Sequence, residues 1–207
     1  MQMIPMFGTY IGAAKLESLD TSTIDTALEY VKTLDEKDAY GGDNGAVTIT
    51  QRLLDAPMFN EVKKECEHLS KAYVEVQGHT VDQVKIASSW GNTLRKDEPI
   101  HPHTHPNSYI SGVLYLTSGS SLNFHHPLVT EDLFTFRPVV VWDAENPHTW
   151  QVMSVTPEPG ALFLFPSKLK HHVDSNETEF RYSIAFNTLP VGSIGDNTKE
   201  MNIKNLE

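Results

Sequence analysis

Apolar residues recur at helical spacing in the first part of the chain and alternate with polar ones in the rest. From Thr21 to Lys37, Ile24, Leu28, Val31 and Leu34 share one helical face, and Asp20 or Ser18 stands where a cap belongs. A Gly- and Asp-rich loop, Asp38 to Gly45, follows. The helical pattern returns from Gln51 to Val76 with Leu53, Leu54, Phe59, Val62, Cys66, Leu69 and Tyr73, and Pro57 divides it into a short and a long helix. Near Asp82 the period changes to two. Val84–Leu94, Tyr109–Leu116, Leu122–Phe124, Phe134–Trp142, Thr149–Val155, Ala161–Phe165, Lys170–Asp174 and Glu179–Leu189 read as strands. They are separated by Ser118-Gly119-Ser120, Glu145-Asn146-Pro147, Pro157 to Gly160 and Asp174-Ser175-Asn176. Many short strands at regular spacing predict a sandwich, jelly roll or barrel. The expected organisation is one structural domain. Residues 1–81 form a helical segment packed on a β core at 82–190, and 191–207 form a loose polar tail.

Composition narrows the function classes. The net charge is −11, which disfavours binding to nucleic acid or anionic lipid, since both need basic patches. No run is apolar enough to span a membrane. Met1 to Ala14 lacks a basic stretch followed by an apolar one, so no signal peptide is expected. The single cysteine, Cys66, excludes an internal disulfide and falls on an apolar helical face, where it reads as packing. The expected compartment is the cytoplasm. No oligomeric state is written in the pattern, and a homodimer is compatible with it.

The histidines gather in the β region. His101, His103 and His105 form an HxHxH run before the Tyr109 strand, and His171-His172 lie late in the chain. Residues two apart on an extended segment point the same way, so His103 and His105 can aim two imidazoles at one metal. Adjacent strand residues face opposite sides, so only one of His171 and His172 can join them. Iron and zinc both accept such a donor set. Trp142, Trp150 and His148 are candidates for a pocket mouth, although such aromatics are more often core.

The last strand carries the second signal. Arg181, Ser183, Ala185 and Asn187 share one face, and Tyr182, Ile184 and Phe186 the other. A small polar face is unusual inside a β core, and a buried arginine is costly without an anion. A dicarboxylate ligand supplies one, because guanidinium pairs bidentately with carboxylate and the Ser183 hydroxyl adds a bond.

These segments together resemble the 2-oxoglutarate/Fe(II)-dependent oxygenase superfamily. The closer likeness is to its small 2OG-Fe(II) oxygenase family of bacteria and phages, in a prolyl-hydroxylase-like branch. The similar stretches are Ser89-Trp90-Gly91-Asn92, His103 to Ser108, Ser111 to Leu116, Pro159-Gly160, Phe165-Pro166-Ser167 with Leu169 and His171, and Arg181 to Asn187. The resemblance implies a mainly β fold with N-terminal helices around a double-stranded β-helix (jelly roll, cupin-like) core. It implies Fe(II), 2-oxoglutarate and O2 as cofactors. It makes His103, His105 and His171 the metal ligands, with His171 chosen over His172 by an H-x-V pattern. It places Arg181, Ser183 and Tyr115 on the distal carboxylate of 2-oxoglutarate. His105 stands where the superfamily has an aspartate. That departure leaves three sources for the remaining ligand: His105 itself, His101, or a carboxylate such as Glu131 or Asp132. The implied reaction hydroxylates an unactivated C–H of a peptide (prolyl) or small-molecule substrate, releasing succinate and CO2. Two rivals stand beside it. One is a three-histidine cupin-type dioxygenase without 2-oxoglutarate, and the other is a non-catalytic β-sandwich module.

Overall fold

The computed structural model describes residues 8–39, 45–127, 151–194 and 201–203. The predicted strand Phe134–Trp142 and the turn at Glu145-Asn146-Pro147 lie outside these. Two helices, two 3-10 turns and twelve strands are described. In chain order they are β1 (Gly12–Lys15), α1 (Thr21–Lys32), β2 (Glu36–Asp38), β3 (Ala46–Thr48), the 3-10 turns Leu53–Asp55 and Pro57–Phe59, α2 (Asn60–Val76), β4 (Gln83–Arg95), β5 (Ile100–His103), β6 (Ile110–Tyr115), β7 (Leu122–His125), β8 (Val152–Val155), β9 (Ala161–Pro166), β10 (His171–Val173), β11 (Phe180–Ile194) and β12 (Met201–Ile203).

α1 begins where the cap was expected. The Asp20 carboxylate accepts the Thr23 N–H at 2.8 Å and so satisfies one of the unpaired donors of the first turn. The helix stops at Lys32, five residues short of the predicted end, because Glu36–Asp38 pairs with Ala46–Thr48 instead. Tertiary pairing outweighs helix propensity there. The Glu36 carboxylate accepts from the Thr93 hydroxyl, tying this hairpin to β4. Pro57 separates a 3-10 turn from α2, as its missing N–H requires.

The strands make two antiparallel sheets. The larger has the order β1-β9-β6-β11-β4-β3-β2, with β12 on β11, and the smaller has β5-β10-β7-β8. This is a double-stranded β-helix. The first segment, read as helical, therefore also supplies three strands of the larger sheet. The tail read as loose carries β11 on to Ile194, with β12 paired against Gly192–Ile194. The Asp82 carboxylate holds that end through the Ser193 N–H at 3.0 Å. Among the described residues no helix is long and apolar enough to cross a membrane.

The period-two phase divides the core. Tyr182, Ile184 and Phe186 of β11, with Ile110 and Leu114 of β6, turn toward the helices and meet Val31, Phe59, Val62 and Cys66. Val113 and Tyr115, with Leu94, Phe124, Phe163 and Phe165, fill the space between the sheets. Cys66 is fully buried in the helix layer, and burial raises its thiol pKa, so it packs as expected. Gly112 lets β6 and β11 lie under one ring. A Cβ there would stand 2.2 Å from Phe186 Cζ.

Candidate active site

Between the sheets lies a cavity of about 520 Å³. His103, His105 and His171 line one part of it; Tyr115, Arg181 and Ser183 line another. Register explains both sets. His171 on β10 is the cross-strand partner of His103 on β5. Ser183 on β11 faces Tyr115 on β6, and Asn187 faces Ser111. His105 follows β5 in a loop held by its N–H to Ser167 O at 2.8 Å.

The three imidazoles form a donor cluster whose candidate ligand atoms all lie within 4.8 Å of one another. His103 Nδ1 faces His101 O at 2.9 Å, His171 Nδ1 faces Leu169 O at 2.8 Å, and His105 Nδ1 faces Asn187 Oδ1 at 2.7 Å. An oxygen acceptor at Nδ1 fixes the proton there and turns the Nε2 lone pair inward, the arrangement a metal-binding histidine requires. Two nitrogens held about 2.1 Å from one ion at right angles stand about 3.0 Å apart. The His103 and His105 Nε2 atoms are 3.2 Å apart. The donor set therefore fits a metal. Burial lowers the pKa of all three, and His171 is pushed down to about 3 by burial and by His103 beside it. All three are thus neutral at pH 7, as ligands must be.

The alternatives raised by the sequence fall elsewhere. Among the described residues the His101 imidazole is not in the cluster, and its main-chain oxygen faces His103 Nδ1. His172 points away, with Nδ1 2.9 Å from His125 Nε2 and Nε2 3.3 Å from Asp174. Glu131, Asp132, Trp142, His148 and Trp150 lie outside the described residues.

Arg181 is 1% exposed. One terminal nitrogen donates to Tyr115 Oη at 3.0 Å, and the guanidinium stands 4.8 Å from the Tyr115 ring centroid. Its Nε has no partner, and no carboxylate among the described residues pairs with it. Burial and this cation act on Tyr115 in opposite directions: burial raises the phenol pKa and Arg181 lowers it, with burial the larger. Ser183 Oγ receives a long contact from Asn92 Nδ2 at 3.4 Å, and Trp90 Nε1 donates to Asn92 Oδ1 at 3.1 Å. Gly119 lies against the arginine stem, where a Cβ would be 2.8 Å from Arg181 Cδ.

Sequence reasoning assigned no task to Asn187, Ser111, Asn92 or Gly119. The signal for Asn187 was its phase: it sits six residues after Arg181 on the same face of one strand.

The double-stranded β-helix thus places a three-histidine cluster and a buried arginine with an unpartnered Nε on one cavity. Residues 88–187 match the family model described as "Putative 2OG-Fe(II) oxygenase". That stretch, just under half of the 207-residue chain, is similar to the 2-oxoglutarate/Fe(II)-dependent oxygenases. No curated protein matches the chain. Solved structures share the fold. HygX from Streptomyces hygroscopicus with nickel and 2-oxoglutarate bound has a TM-score of 0.61 at 15% identity, covering 88% of this chain and 83% of that one. A Pseudomonas putida prolyl-4-hydroxylase has a TM-score of 0.60 at 13% identity, covering 89% and 94%. An oxidoreductase of the 2OG-Fe(II) oxygenase family from Burkholderia pseudomallei has a TM-score of 0.57 at 15% identity, covering 86% and 85%.

Proposed function

We propose that His103, His105 and His171 hold Fe(II), and that Arg181, Tyr115 and Ser183 hold the distal carboxylate of 2-oxoglutarate. In this reading the enzyme hydroxylates an unactivated C–H of a peptide or small molecule. Fe(II) with 2-oxoglutarate supplies oxygen activation coupled to decarboxylation, giving succinate and CO2. The chain's own residues bind and orient. Arg181 neutralises the distal carboxylate, Tyr115 Oη and Ser183 Oγ offer it hydroxyls, and the apolar wall of Val113, Leu122 and Phe165 keeps water from the cavity floor.

The observation that carries this reading is Arg181: a buried guanidinium with an unpartnered Nε, lining the same cavity as three inward histidines. An uncompensated buried cation is expensive, and a carboxylate ligand removes the cost. A three-histidine dioxygenase without 2-oxoglutarate, or a non-catalytic module, leaves that cation without an anion.

Among substrates, a prolyl peptide is favoured by the likeness of the Tyr115 and Arg181 strands to the prolyl-hydroxylase branch and by the shared fold with a prolyl-4-hydroxylase.

The test is anaerobic titration of the Fe(II)-loaded protein with 2-oxoglutarate, read by the weak visible charge-transfer band of the chelate. Wild type is expected to show the band, and His103→Ala to lose it. Arg181→Ala is expected to weaken 2-oxoglutarate binding about ten-fold or more, since a charge-assisted bond contributes roughly 1.5–3 kcal/mol. Unchanged binding in Arg181→Ala sinks the assignment of the carboxylate site. Proline-containing peptides then test the substrate: succinate release that no such peptide accelerates removes the prolyl reading and leaves small molecules.

A further inference from the structure

An imidazole ligand makes a demand that a carboxylate does not. It binds metal through one nitrogen, and only in the tautomer whose proton sits on the other. His103 and His171 meet this demand with main-chain carbonyls two residues upstream, His101 O and Leu169 O. A main-chain carbonyl cannot present a donor. His105 relies on a side chain, Asn187 Oδ1 at 2.7 Å. A carboxamide can offer either its oxygen or its nitrogen, and the two choices have opposite effects. Oxygen toward His105 puts the proton on Nδ1 and the lone pair on Nε2. Nitrogen toward His105 puts a hydrogen on Nε2, where it faces His103 and blocks the ligand position.

The amide oxygen of Asn187 faces a second polar neighbour. The Ser111 hydroxyl donates to the same Oδ1 at 2.8 Å. Ser167 Oγ lies 2.9 Å from Ser111 Oγ and 2.7 Å from Ser108 Oγ, and its one proton serves one of the two. Ser111 and Ser167 are 0% and 1% exposed, so water does not compete for these bonds. Ser167 also accepts the His105 N–H through its main-chain oxygen, so the network that orients the amide also holds the loop carrying the ring. Trp90 stacks on the far side of His105, with centroids 5.8 Å apart and planes 28° from parallel.

We infer that Asn187 is a positioning residue for the metal site: pinned by Ser111, its amide oxygen sets the tautomer and plane of His105 and so makes that histidine a competent ligand. The inference rests on the three-histidine reading of the centre and adds to it the residue that lets an imidazole stand in that place.

The experiment is anaerobic titration of the full chain with Co(II) alone, read by its visible absorption, with no turnover involved. Outer-shell partners of this kind typically govern metal affinity by about ten- to a hundred-fold. Asn187→Leu keeps the volume and removes the acceptor, and is expected to weaken Co(II) by that factor. Asn187→Asp keeps an oxygen acceptor and is expected to stay within a few-fold of wild type or bind more tightly. Ser111→Ala frees the amide and is expected to weaken Co(II) several-fold in a chain that still folds. Wild-type affinity in Asn187→Leu, or an Asn187→Asp protein as weak as the leucine variant, overturns the inference. Should the leucine variant not fold, Ser111→Ala decides: unchanged affinity there overturns it too. His103→Ala separates the two levels. If it still binds Co(II) like wild type, the three-histidine centre itself fails; if it does not, an unaffected Asn187→Leu removes only the role of Asn187.

Discussion

The residue whose ionisation most constrains this protein is His171. Burial first, and His103 second, hold it at about 3 against an ordinary value of 6.5, with the bond to Leu169 O opposing them. His103 and His105 are lowered in the same direction, each mainly by burial. The unfolded chain therefore binds more protons than the native one between these values, and the stability of the metal-free protein falls as pH drops through that window. Above the ordinary value the contribution is complete. Urea unfolding of metal-free protein is expected to show a lower midpoint at about pH 5.5 than at about pH 7.5. Asp and Glu, with ordinary values of 3.8 and 4.5, stay ionised over that interval. His171→Phe should reduce the dependence and leave the part that His103, His105 and His125 contribute. Equal midpoints at the two pH values in wild type would show that the ring is not held neutral by burial.

At the scale of the element, phase along a strand decides what a side chain does. β11 gives one face to the helices through Tyr182, Ile184 and Phe186 and the other to the cavity through Arg181, Ser183 and Asn187. Its neighbour β6 must leave room for Phe186, and Gly112 does so. Gly112→Ala is expected to destabilise by about 1–3 kcal/mol through overpacking, a fall in Tm of several degrees. The added methyl meets the helix-side ring, so affinity for 2-oxoglutarate should change little. A Tm equal to wild type would mean that Phe186 moves aside freely. This phase was legible in the sequence because small or polar residues alternate with large apolar ones from Arg181 to Asn187, and the spacing of His103 and His105 pointed to one cluster. Less legible were elements without a periodic pattern. β2 and β3 are three residues each, too short to show alternation, and Glu36–Asp38 continues a helical pattern until pairing with Ala46–Thr48 overrides it. β12 is equally short, and its existence depends on Gly192–Ile194 offering an edge. Asn187 was visible in position but not in role, because its partners Ser111 and His105 come from segments distant in sequence.

At the scale of the molecule, the site joins layers that are otherwise held by separate cores. The helices and the larger sheet share one apolar cluster, and the two sheets share another. Arg181, Ser183 and Tyr115 belong to the larger sheet, whereas His103 and His171 belong to the smaller one. Metal on the histidines and 2-oxoglutarate on the arginine would therefore tie the sheets across the cavity, and stability should respond to each ligand in a defined order. A ligand at a hundred times its Kd stabilises by about 2.7 kcal/mol, which for a chain of this size is a rise in Tm of several degrees. Thermal unfolding with Ni(II), and then with Ni(II) and 2-oxoglutarate, is expected to show two successive increments in wild type. Arg181→Ala should keep the first and lose most of the second. His171→Ala should lose both, because without the centre 2-oxoglutarate retains only its distal contacts. A second increment as large in Arg181→Ala as in wild type would mean that the carboxylate is held elsewhere, and the buried guanidinium would then be paired by some other anion.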